Sequence, residues 1–122
     1  MARNPESAKI HIRLISTLVN KLVGEGYKVS ADHIGYPNGL PDEWNGNRPD
    51  IHAVKDGKEQ LIEAETCDSL DLPETRVQWT ALASKPDSDF SIITPEGCLE
   101  EAKKLAKEWS LEIKNFWTMK IG

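Results

Sequence analysis

Three carboxylates, Asp50, Glu63 and Glu65, stand in the stretch RPDIHAVKDGKEQLIEAET, which runs from Arg48 to Thr66 and otherwise reads as two apolar strands. Asp56-Gly57 is a dipeptide favoured in two-residue hairpin turns and fixes a register. Lys55 then pairs with Lys58, Val54 with Glu59, Ala53 with Gln60, His52 with Leu61 and Ile51 with Ile62, which sets Asp50 opposite Glu63. Side chains alternate along a strand, so Leu61, Glu63 and Glu65 share one face and Glu65 lies diagonal to Asp50.

Opposed residues on a hairpin have Cβ atoms about 4.5–5.5 Å apart, and like charges so placed repel. Such a cluster is tolerated where a cation neutralises it or where one acid holds a proton for catalysis. Oxygen donors favour a hard ion, Mg²⁺ or Mn²⁺, over zinc. The plain alternative is a hairpin with one wet face, on which the acids are solvated. A slip of one residue in register would also send the acids to opposite sides.

Helices must bring further groups to this hairpin. A first helix is expected from Pro5 to Gly24, with Asn4 as N-cap. His11 falls inside its apolar stripe of Leu14, Ile15, Leu18, Val19, Leu22 and Val23, placed either to face a site or to serve as a satisfied core histidine. A second helix is expected from Pro73 to about Ser84, with Gln78 on its buried face between Val77 and Leu82. His33 and His52 carry less weight: His52 shares the face of Asp50, but a lone strand histidine is more often structural. Trp44, Trp79, Trp109 and Trp117 show no interleaving with basic residues and read as core or core edge.

The remaining expected elements are strands over 27–34, 50–55, 58–66, 88–94 and 111–119, with a third helix after Gly97. The fold class is therefore α/β, a mixed central sheet flanked by helices in the order αβββαβαβ. The loop Gly35 to Arg48, rich in Gly, Pro and Asn, is the expected place for substrate recognition.

Pro49-Asp50, then Glu63-Ala64-Glu65 on the next strand, then Gln78 on the following helix, resembles the PD-(D/E)XK nuclease superfamily, in a Glu-X-Glu variant. The element order from the first helix onward is similar to that family's restriction-endonuclease-like αβββαβ core, here with an extra C-terminal helix and strand. The resemblance implies Mg²⁺- or Mn²⁺-dependent cleavage of DNA. It makes Asp50 and Glu63 metal ligands, with the Ala64 carbonyl a further one, and gives Gln78 and His11 places beside the site. The family pattern ends in Lys where this chain has Glu65, so Glu65 is expected as a base or second-metal ligand, or paired with Arg48. Lys55, Lys58 or Arg48 would then supply the missing cation. A binding module on the same fold, with weak or no catalysis, is the second expectation.

The 122 residues, 39% hydrophobic and 29% charged, are expected to form one domain spanning 1–122. A net charge of -5 excludes a broad basic surface for nucleic acid but not a metal-bridged contact. Cys67 and Cys98 form no zinc motif and are expected as reduced, buried thiols, with a single disulfide left open. The opening MARNPESAKIHIR has no apolar leader core, and a cytoplasmic protein is expected. A homodimer is a further expectation, because two copies of so small a domain could cut both strands of a duplex.

Overall fold

Asn4 starts the first helix as read from the sequence: its side-chain oxygen accepts the Ser7 backbone N–H at 2.8 Å, and Pro5 follows at a position that needs no N–H. In this computed structural model, which describes residues 4–121, helix α1 spans Pro5–Gly24 and buries Ser7, His11, Leu14, Ile15, Leu18, Val19 and Leu22. These three- and four-residue steps make one face, and Val23 falls outside it, exposed.

The chain continues as β1 (Lys28–Ala31), β2 (Ile51–Lys55), β3 (Lys58–Ala64), α2 (Pro73–Ala83), β4 (Ser88–Pro95), α3 (Leu99–Glu108) and β5 (Phe116–Met119). The strands form one sheet in the order β1-β2-β3-β4-β5. The first three are antiparallel, and β4 and β5 run parallel to β3. This is the expected mixed α/β fold with an αβββαβ core and an added helix and strand.

The β2–β3 register is the expected one, from Lys55 opposite Lys58 to Ile51 opposite Ile62. Asp56 and Gly57 both take positive φ, +53° and +77°, as a turn matched to strand twist requires. Alternation then sorts the side chains. Ile62 and Ala64 join α1 in one core with Val29, Ala31, Ile51, Ala53 and Ile93. Leu61 joins Phe90 and Ile92 in a second core under Trp79, Leu82, Ala102 and Ala106 from α2 and α3. Helices thus cover both faces of β3, and every residue from Leu61 to Thr66 is buried, acids included. A wet face for these acids is thereby ruled out.

The first and last strands fall furthest short of the sequence expectation. The first stops at Ala31, because Asp32 turns and His33 adopts φ +72°. Between Leu111 and Asn115 the chain is irregular, tied by Lys114 N–H to the Phe90 carbonyl at 2.7 Å. On α2 the buried residues are Thr75, Trp79 and Leu82, while Val77 is 62% exposed. The presumed buried face was therefore rotated, and Gln78 lies half-buried at its border.

The cysteines also differ from the expectation of free thiols. Cys67 and Cys98 form a disulfide, with Cα atoms 5.6 Å apart. Parallel β3 and β4 deliver their exits to the same end of the sheet, which brings together residues 31 positions apart. Such bonds are typical of oxidising compartments. No helix among the described residues is long and apolar enough to cross a membrane.

Candidate active site

Strand directions put the chemistry at one edge of the sheet. Because β1, β2 and β3 alternate in direction, the exit of β1, the entry of β2 and the exit of β3 meet there, carrying His33, Asp50 and Glu63. Helix α1 adds His11 and α2 adds Gln78. With Asp32, Glu43, Gly46, Asn47 and Arg48 these residues line an open cleft of about 300 Å³. A larger hollow of about 460 Å³ lies beside Cys67 and Pro95, but its walls carry fewer groups suited to catalysis.

Asp50 is the centre of the cluster. Its carboxylate Oδ2 accepts the Ala64 backbone N–H at 2.9 Å and lies 3.1 Å from His11 Nε2. Oδ1 lies 3.4 Å from His33 Nε2. The Asp50 backbone N–H donates to Glu63 Oε1 at 2.9 Å, so the acids opposed across the hairpin are linked main chain to side chain. Only 8% of Asp50 and 4% of Glu63 remain exposed.

Burial alone would raise the Asp50 pKa, but hydrogen bonds from His11 and then His33, the charge of His11 and the Ala64 N–H outweigh it and bring it from 3.8 down to about 2. Asp50 is thus a fixed anion near neutral pH. A carboxyl whose pKa is lowered on folding contributes stability above its unfolded pKa and loses it as the pH falls through the folded value. For Asp50 that loss falls between about pH 4 and pH 2 and amounts to roughly 2 kcal/mol. Urea melts of the wild type and of Asp50→Asn across this range should show the slope difference; identical slopes would refute the assignment.

Glu65 follows a different path. It is 2% exposed, its Oε1 accepts from Ser69 Oγ at 2.6 Å, and its Oε2 accepts from the Trp79 indole N–H at 2.9 Å. It shares a face with Glu63, but its carboxylate is drawn under α2 and is not part of the cleft wall. Arg48 does not turn to it: Nη1 donates to the Pro41 carbonyl and Nη2 to Glu43 Oε2 at 3.2 Å. Lys55 and Lys58 sit beside the Asp56-Gly57 turn, at the other end of the hairpin from Asp50. Arg48 is therefore the one permanently charged cation lining the cleft among the described residues.

His52 is also accounted for. Its Nε2 lies 2.7 Å from Glu59 Oε2, and Lys85 Nζ bonds the other Glu59 oxygen. It serves that ion cluster and not the Asp50 cleft. His33, given little weight on sequence grounds, reaches Asp50 beside His11. The signal that could have found it is antiparallel pairing of β1 with β2, which places the residues after Ala31 beside those before Ile51.

The donor set suits a cation. Four carboxylates, Asp32, Glu43, Asp50 and Glu63, line the cleft against one Arg, so a phosphate entering alone would be repelled. Asp50, Glu63, His11 and His33 offer oxygen and imidazole donors, and one ligand atom from each of His11, His33 and Asp50 lies within 4.8 Å of the others.

A crystal structure of an XisH family protein from Nostoc punctiforme PCC 73102 is similar to this chain in fold, with a TM-score of 0.53, 14% sequence identity, and coverage of 86% of this chain and 90% of that one. No protein-family model and no curated protein matches the sequence.

Proposed function

We propose that the chain is a metal-dependent phosphodiesterase acting on DNA, a PD-(D/E)XK-like nuclease of the Glu-X-Glu kind. The observation that carries this reading is the buried, ionised Asp50 linked to Glu63 at the edge of an open cleft, on an αβββαβ core. The similarity to the XisH family structure supports the fold and nothing finer.

In this reading Asp50 and Glu63 hold Mg²⁺ or Mn²⁺, with the Ala64 carbonyl as a further ligand. Such an ion supplies Lewis acidity toward phosphate oxygens and water. His11 and the Ala64 N–H keep the Asp50 carboxylate charged and oriented. Gln78, on the cleft wall, offers an amide to a phosphate or to water. Arg48 provides the positive charge that the family's Lys would have brought, from the loop that borders the cleft. Glu65 is proposed as base or second-metal ligand, but its carboxylate is held under α2 by Ser69 and Trp79 and is not part of the cleft wall, which favours a positioning role. The cytoplasm is the compartment proposed, and there the Cys67–Cys98 bond would meet reducing conditions. Two copies, one cleft each, are the simplest way to cut a duplex on both strands.

One observation favours a second reading, a weakly catalytic binding module: among the described residues, no lysine lines the cleft. The test is digestion of single-stranded, duplex and branched DNA with Mg²⁺ or Mn²⁺, beside a chelator control. Chelator-sensitive cleavage is the expected result. Failure on every substrate, with no rise in Tm on adding either ion, would sink the nuclease reading.

A further inference from the structure

We propose that His33 joins His11 and Asp50 in a site of two imidazoles and one carboxylate, built for a first-row transition ion in preference to Mg²⁺. This rests on the reading of Asp50 as a metal ligand and names the ion class.

The two histidines approach one carboxylate from separate elements and address different oxygens. His11, from α1, lies 3.1 Å from Oδ2, and His33, from the exit of β1, lies 3.4 Å from Oδ1. Ion-to-donor bonds of about 2.0–2.2 Å put donors about 3.0–3.5 Å apart around one ion. Both distances fall in that range. The rings meet edge to face with centroids 5.0 Å apart, and one ring nitrogen of each histidine lies within 4.8 Å of the other's. A small inward movement of His33, whose side chain is 45% exposed at the mouth, would complete the set.

Backbone geometry is an independent observation. His33 holds φ +72°, a region uncommon for residues with a Cβ, and its N–H donates to Asp32 Oδ1 at 2.8 Å. Such conformations cluster where geometry serves function. The turn aims the ring back over the sheet edge, where an extended strand would have carried it away. Imidazole suits Fe²⁺, Ni²⁺, Cu²⁺ and Zn²⁺, with Co²⁺ between Fe²⁺ and Ni²⁺ in the order of affinities, whereas Mg²⁺ prefers oxygen. The competing account is an ion-free trio in which both imidazoles donate protons to Asp50.

The test uses tag-free protein, with Co²⁺ and Mg²⁺ titrated separately by calorimetry and the Co²⁺ visible absorption recorded. His33→Asn suits it, because Asn tolerates the left-handed backbone and carries no imidazole. Wild type should bind Co²⁺ tighter than Mg²⁺. His33→Asn should lose at least the roughly 10–100-fold in Co²⁺ affinity that losing an outer-sphere partner costs, shift the Co²⁺ bands, and barely change Mg²⁺ affinity. Equal Co²⁺ affinity and spectrum in wild type and His33→Asn would overturn the proposal. If Mg²⁺ binding and cleavage then persist, only the role of His33 falls. If Asp50→Asn also binds both ions as wild type does, the metal-ligand reading of Asp50 falls with it.

Discussion

Asp50→Asn is expected to lower metal-dependent DNA cleavage on the order of 10³-fold while leaving the chain folded. The asparagine oxygen can keep the Ala64 N–H and His11 as partners, so the bonds that set the end of β2 survive. The negative charge does not. Stabilisation of phosphate charge by a bound ion is worth several kcal/mol, and about 4 kcal/mol corresponds to roughly a thousandfold in rate. The rise in Tm on adding ion should vanish in the same variant. Asp50→Ala would be less informative, because it also strips the acceptor from the buried Ala64 N–H, at a cost of about 1–3 kcal/mol. Single-turnover cleavage assays with circular dichroism on both proteins decide the matter. Cleavage by Asp50→Asn within tenfold of wild type would remove Asp50 from the site.

The opposition of Asp50 and Glu63 was legible because its cause is local. A two-residue turn at Asp56-Gly57 needs positive φ at both positions, this dipeptide supplies it, and pairing then counts outward without further choice. His33 could not be read in the same way. The loop between β1 and β2 runs from residue 32 to 50, too long for turn chemistry to fix the pairing, so nothing local says that Ala31 meets Ile51. The disulfide was hidden for a related reason, since parallel pairing of β3 with β4 is non-local. The face of α2 was misread because Val77 is the more apolar-looking choice, yet Trp79 and Thr75 make the contacts.

Glu65 shows the limit of parity arguments. Alternation correctly puts it on the face of Glu63, but a face is wide, and rotamer and sheet twist decide which neighbour the carboxylate meets. Trp79, fully buried against Phe90 and Trp109, has an indole N–H that needs an acceptor, and Glu65 supplies it. Glu65 is thus tied to the hydrophobic core under α2.

That tie predicts opposite behaviour for two substitutions. Glu65→Ala should destabilise the protein by roughly 2–4 kcal/mol, because the buried Trp79 N–H loses its acceptor and a void is left beside it. For a chain of this size that is a fall in Tm of roughly 10 °C. Ser69 suffers less, since its hydroxyl also bonds the Thr66 carbonyl at 3.0 Å. Glu65→Gln should be nearly as stable as wild type: the amide oxygen can take the Trp79 N–H, and the amide NH₂ can donate to Ser69 Oγ. Its cleavage rate separates the two roles open to Glu65. A positioning carboxylate tolerates the amide, so kcat/KM within tenfold of wild type is the expected result. A general base does not, and its loss costs about 10²–10⁴-fold. A drop of that size in a variant with unchanged Tm would show that Glu65 takes part in the chemistry.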